Sequence, residues 1–177
     1  ELVTLLASLA SVHVHGYAHQ AMSFAGQLRQ AKRGLLSLTC GPAAGFFVRL
    51  LGSLGMEARA VGCHRLAGRL NTFDNGHSLV EVFWPRQRKW VLADPDLHCM
   101  FRSGSRWLDL REASEVVRGR GRLDLVPLTG ERGGLIDTTD AVAGRFSGLT
   151  GLEGVAASPD LLEGWYRAML EVPLQPA

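Results

Sequence analysis

Thr39-Cys40-Gly41-Pro42 stands at the head of an apolar run, Ala43 to Leu54, which closes on Gly55. Phe46, Phe47, Leu50, Leu51 and Leu54 recur at helical spacing and make one heavily apolar face. Thr39 suits an N-cap, Pro42 suits a first turn where its missing N–H costs nothing, and Gly55 suits the position after the last turn. The small residues Ala43, Ala44 and Gly45 let another backbone approach closely. The chain must therefore supply a layer that buries this helix, and the helix begins at a cysteine. A thiol at a helix N-terminus meets unpaired N–H groups and the positive end of the dipole, which favour the thiolate. The same N–H groups can hold the oxyanion of a tetrahedral intermediate.

The covering layer reads as strands. Met56 to Gly62 is short and alternating, and Gly76 to Trp84 alternates over a longer stretch. Pro85 to Lys89 is a charged hairpin turn, and Trp90 to Ala93 returns to end on Asp94-Pro95. A hairpin centred near Arg86 and Gln87 sets Asp94 near residue 79, diagonal to His77. If His77 faces the helix, then Leu79, Glu81 and Phe83 share its face, Cys40's side, and Ser78, Val80 and Val82 take the other. The candidate constellation is Cys40 as nucleophile, His77 as general base and acid, and Asp94 as the group that orients the ring and stabilises its cation.

Around this core the reading is coarser. Leu2 to Val12 has the period of a helix with one buried face, and Tyr17 to Arg33 reads as a second helix. Gln20, Gln27 and Gln30 fall in it, and a glutamine can donate to a developing oxyanion. His15 and His19 are spaced for a helical metal pair, but Gly16 interrupts the helix and no HExxH glutamate is present, so packing or surface histidines are expected. Cys63-His64 and His98-Cys99 lack zinc-ligand spacing and read as unrelated thiols. His64 to Asn75 is a loop, Asp109 caps a helix over Leu110 to Val117, and Leu123 to Leu128 reads as a strand. Gly130 to Gly134 is a turn, and Ser158-Pro159-Asp160 opens a last helix, Leu161 to Leu170, that buries Leu162, Trp165, Tyr166 and Met169.

The totals exclude several classes. The chain has 177 residues, read as one domain over 1–177 with its core at about 35–100 and no assignment for 101–177. Lys plus Arg is 19 against 17 for Asp plus Glu, so no nucleic-acid partner is expected. Arg118-Gly-Arg120-Gly-Arg122 lacks interleaved aromatics and reads as an exposed turn. No apolar run has the length of a membrane span, and Leu2 to Val14 has no basic n-region, so it is not read as a signal peptide. The three cysteines do not make a disulfide framework, which leans toward a reducing, cytoplasmic compartment.

The residues carry a resemblance. The order Cys40, His77, Asp94 resembles the transglutaminase-like superfamily of papain-fold cysteine enzymes. Leu54-Gly55-Met56-Glu57-Ala58-Arg59-Ala60-Val61-Gly62 is similar to that family's Gly-Ile-Pro-Ala-Arg-x-Val-x-Gly segment. Gly76-His77-Ser78-Leu79-Val80-Glu81-Val82 is similar to its His-Ala-Trp-Val-Glu-Val strand, and Trp90 to Pro95 to its Trp-x-x-x-Asp-Pro ending. Leu79 stands where the family has tryptophan, and Met56-Glu57 replaces Ile-Pro. The resemblance implies an α+β fold with a papain-like, transglutaminase-like core, its N-terminal helices packed on a small antiparallel sheet. It implies acyl transfer through a thioester on Cys40, from a peptide, amide or acyl-thioester substrate, without metal or other cofactor. Water as acceptor gives a peptidase or amidase, and an amine gives a transglutaminase. The alternative is a catalytically inactive member of the fold that serves as a binding or scaffolding module.

Overall fold

The computed structural model describes residues 1–66, 76–129 and 159–174. It is a mixed α+β structure in which a curled antiparallel sheet lies between two groups of helices. In chain order the elements are α1 (Leu2–Ala10), β1 (His13–His15), α2 (Phe24–Arg33), β2 (Leu36–Leu38), α3 (Cys40–Ser53), β3 (Ala58–His64), β4 (Gly76–Trp84) and β5 (Lys89–Asp94). They continue with β6 (Cys99–Ser103), β7 (Arg106–Trp107), α4 (Leu110–Arg118), β8 (Asp124–Pro127), α5 (Pro159–Met169) and β9 (Val172–Leu174). The main sheet has the order β7-β6-β5-β4-β3-β9, with β8 also bonded to β6. A separate two-stranded sheet pairs β1 with β2 in parallel.

Alternation along β4 and β5 divides the core. Val80, Val82, Val91 and Ala93 pack with Phe46, Phe47 and Leu51 of α3 and with Leu2 and Leu6 of α1. Leu79 and Leu92 point the other way, to Leu110 and Ala113 of α4 and to Leu162, Tyr166 and Met169 of α5. The sheet is therefore buried on both faces. Among the described residues no helix is long and apolar enough to cross a membrane.

Several sequence expectations shift. α1 stops at Ala10 rather than Val12, because Val12 lies in the turn that leads into His13–His15, the segment that pairs with Leu36–Leu38. The second helix begins at Phe24 rather than Tyr17. Ser23 caps it by accepting from Gly26 N–H at 3.3 Å, while the preceding residues are tied to β2: Ala18 N–H donates to Ser37 Oγ and His19 N–H to the Ser37 carbonyl. β3 runs to His64, two residues beyond its expected end, since Cys63 and His64 pair with His77 and Gly76. The sheet is larger than the small one expected, because β6, β7 and β9 extend it. Gly55 follows α3 with φ of 78°, the left-handed conformation that ends the helix. The turn Gly130 to Gly134 lies outside the described residues, as does most of the loop His64 to Asn75.

Candidate active site

Three elements bring the sequence-selected residues together. Cys40 is the first residue of α3, with Thr39 at the N-cap. Thr39 makes no capping bond to the first turn; its hydroxyl donates to Gln20 Oε1 at 3.2 Å. His77 is the second residue of β4. Val80 pairs with Ala93 across the hairpin, so Asp94 lies one step on, diagonal to His77 as the turn position implied. His77 Nε2 donates to Asp94 Oδ2 at 2.5 Å, and the Cys40 sulfur lies within 4.8 Å of a ring nitrogen. With Nε2 committed to the carboxylate, Nδ1 is the nitrogen left for Cys40.

The sheet face was expected the wrong way round. The body of α3 packs on the Val80 and Val82 face, whereas His77, Leu79 and Glu81 face α4 and α5. Only the start of α3 reaches His77, where a Cβ added at Gly41 would come within 3.8 Å of Ser78 Oγ. Glu81 is thereby accounted for. It bonds Arg59 at 2.6 Å and accepts from Leu110 N–H at 2.7 Å, which fixes the start of α4.

Asp94 is completely buried and its carboxylate takes four hydrogen bonds. Oδ1 accepts from the N–H groups of Asp96 and Leu97 at 2.8 and 3.0 Å. Oδ2 accepts from His77 and from the Tyr166 hydroxyl. Tyr166 in turn accepts from the Cys99 thiol at 3.2 Å, and its ring meets Phe101 edge-on. The preceding residue, Trp165, lies edge-on to the His77 ring at 5.0 Å. Burial disfavours the His77 cation, but the Asp94 charge and hydrogen bond outweigh it, with Cys40 adding, and hold the imidazole well above its ordinary value.

The three thiols differ in their surroundings. Cys40 is half-buried, whereas Cys63 and Cys99 are fully buried and none is in a disulfide. Burial pushes the Cys63 thiol up to about 12, and burial with the Asp94 charge raises Cys99 as well. Cys63 donates to the His77 carbonyl and Cys99 to Tyr166, so the two do not assemble a zinc set with His64 and His98.

A second polar group adjoins the triad. Asp96, two residues beyond Asp94, receives His15 Nδ1 at 2.8 and 2.9 Å on its two oxygens. His13 Nε2 donates to the Leu38 carbonyl at 3.0 Å and lies 3.7 Å from Asp96. Burial disfavours the Asp96 carboxylate, but His15, His13 and His77 prevail and hold it below the ordinary carboxylate range. His15 and His19 are not a helical pair: His15 is in β1, and the His19 ring accepts from Ser37 N–H at 2.9 Å. Of the glutamines, Gln27 donates to the His19 carbonyl and Gln30 to that of Leu35, while Gln20 sits at Thr39, next to Cys40. Sequence reasoning missed Asp96 as a site residue and gave Trp165 and Tyr166 no role beyond packing. The one available pointer was the aromatic pair on the buried side of the last helix.

Comparison with family models, with curated proteins and with solved structures found no match to the chain.

Proposed function

We propose that the protein is a cysteine-nucleophile acyl-transfer enzyme, a transglutaminase-like acyltransferase or a cysteine peptidase or amidase, built on a papain-like core. The observation that carries this reading is one imidazole with a helix-start thiol within 4.8 Å and a direct hydrogen bond to a fully bonded, buried carboxylate. The order of the three residues along the chain and the motifs around them support it.

In the reaction, Cys40 sulfur attacks the acyl carbon of a peptide, amide or acyl thioester. His77 takes the thiol proton and delivers it to the leaving amine or thiol, which departs as the thioester forms. Water or an amine then attacks the thioester, His77 accepts its proton, and the thiol is restored. Asp94 keeps the ring in one tautomer and balances its cation. The N–H groups at the start of α3 hold the developing oxyanion in this reading, and Gln20, whose Oε1 accepts from Thr39 beside Cys40, is the candidate to add its amide.

Intact-mass trapping tests this with a panel of peptides, amides and acyl thioesters and with Cys40→Ala as control. A mass increase of one acyl group that disappears in the alanine variant is expected. Iodoacetamide should label Cys40 well before the buried Cys63 and Cys99. Labelling of Cys40 no faster than the other two, with no acyl adduct from any substrate, points instead to a binding or scaffolding module.

A further inference from the structure

We propose that Cys40, His77 and Asp96 form a three-ligand site for Zn²⁺ that reversibly blocks the thiol. Their ligand atoms all lie within 4.8 Å of one another, and they are the only such group among the described residues. Thiolate, imidazole and carboxylate are the mixed sulfur, nitrogen and oxygen set that Zn²⁺ accepts, and three protein ligands leave a fourth position open. Ligand atoms around tetrahedral Zn²⁺ stand roughly 3.3–3.8 Å apart. Closing the set asks for a contraction of about an ångström, within reach of Cys40, which is half-buried and is the most exposed of the three.

The outer contacts are those that hold metal ligands in place. Asp94 bonds the far nitrogen of His77, which directs the other nitrogen to the site. His15 bonds both oxygens of Asp96 and fixes its plane, while an ionised carboxylate has lone-pair sites to spare for a metal. Asp96 is completely buried, and Asp94 already orients the imidazole, so the proton chemistry of the triad gives this second carboxylate no task. Binding releases a proton, since the metal takes the thiolate and the neutral imidazole. The coordination stands independently of acyl transfer; its consequence, an enzyme held inactive until the metal is withdrawn, rests on that reading.

Co²⁺ is the probe and the full-length chain the sample. One equivalent should produce thiolate-to-cobalt charge-transfer absorption and intense visible bands of tetrahedral type, displaced by one equivalent of Zn²⁺. Asp96→Asn should weaken Zn²⁺ binding at least 100-fold and His15→Ala by roughly 10–100-fold. Cys63→Ala and Cys99→Ala should leave it unchanged. X-ray absorption of the Zn²⁺-loaded wild-type protein, which needs no variant to fold, should show one sulfur ligand with nitrogen and oxygen. Absence of the charge-transfer band, or a metal shell without sulfur, overturns the site, as does undiminished binding by a folded Asp96→Asn protein. A cobalt band from a protein that never acylates keeps the metal site and removes the acyl-transfer reading. Acylation without any cobalt band does the reverse.

Discussion

Tyr166 shows how a single hydroxyl can adjust the triad from a distance. It donates to the same Asp94 oxygen that holds His77, and it does so from a residue 72 positions further along the chain. The hydroxyl draws electron density from the carboxylate and moderates the pull of Asp94 on the imidazole proton. Tyr166→Phe keeps the ring contacts with Phe101 and Trp165 and removes this donor together with the acceptor of the buried Cys99 thiol. Asp94 then binds the His77 proton more tightly, so the His77 titration followed by nitrogen NMR should move further up. A hydrogen bond to a charged group contributes about 1.5–3 kcal/mol, so kcat/KM should fall roughly 10–100-fold. An unchanged His77 titration would show that Tyr166 serves packing alone. The meeting of Cys40, His77 and Asp94 was legible in the sequence because each sits on a strong local pattern: the start of an apolar helix for Cys40, and the two arms of one hairpin for His77 and Asp94. Tyr166 and Asp96 were not, because their partners are set by three-dimensional packing: Tyr166 reaches Asp94 from a helix after the undescribed stretch, and Asp96 meets His15 from 81 positions away.

At the scale of elements, α4 covers the sheet face that His77 and Glu81 share, opposite the body of α3, and depends on its first turn. Asp109 accepts from Glu112 N–H at 2.7 Å, and Glu112 returns a bond to Asp109 N–H at 3.0 Å, a complete capping box. Asp109→Ala should lower unfolding stability by about 1 kcal/mol, read as a lower urea midpoint at unchanged slope. The rate of Cys40 alkylation should stay at the wild-type value, since the bonds lost lie within the first turn of α4. A matching loss of thiol reactivity would mean that the start of α4 and the His77 end of β4 are more tightly coupled than the contacts indicate. This helix, α3 and the β4–β5 hairpin could all be read locally, from caps, period and a charged turn. The strands β1, β2, β7 and β9 could not, being only two or three residues long and extended only because another strand, distant in sequence for all but β7, offers them hydrogen bonds. The facing of His77 failed for a related reason: alternation fixes which residues share a face, not which helix covers it.

Over the whole molecule, the buried titratable groups make stability a dome in pH. On the acid side the controlling group is His13, fully buried, with Asp96, His98 and His15 facing it and no partner for Nδ1 among the described residues. Burial depresses its titration below the ordinary 6.5 despite the attraction of Asp96. The native state then refuses a proton that the unfolded chain accepts, so stability is full above pH 6.5 and declines as pH falls toward the folded value. Asp96, also held below its ordinary 3.8, adds a further loss at still lower pH. On the alkaline side the sign reverses. His77 is raised, so its contribution is full below 6.5 and is lost as pH rises through its folded value. Cys63, with an ordinary value of 9.0 raised to about 12, behaves likewise: the unfolded thiol ionises first, and stability falls between those two values. Urea midpoints in metal-free buffer should therefore peak near neutrality and fall on both sides, each group contributing up to about 1.4 kcal/mol per pH unit within its window. His13→Gln should flatten the fall just below pH 6.5, and Cys63→Ala should make the fall above pH 9 shallower by one group's slope. Retention of the full acid-side fall in a folded His13→Gln protein would show that His13 does not control that limb.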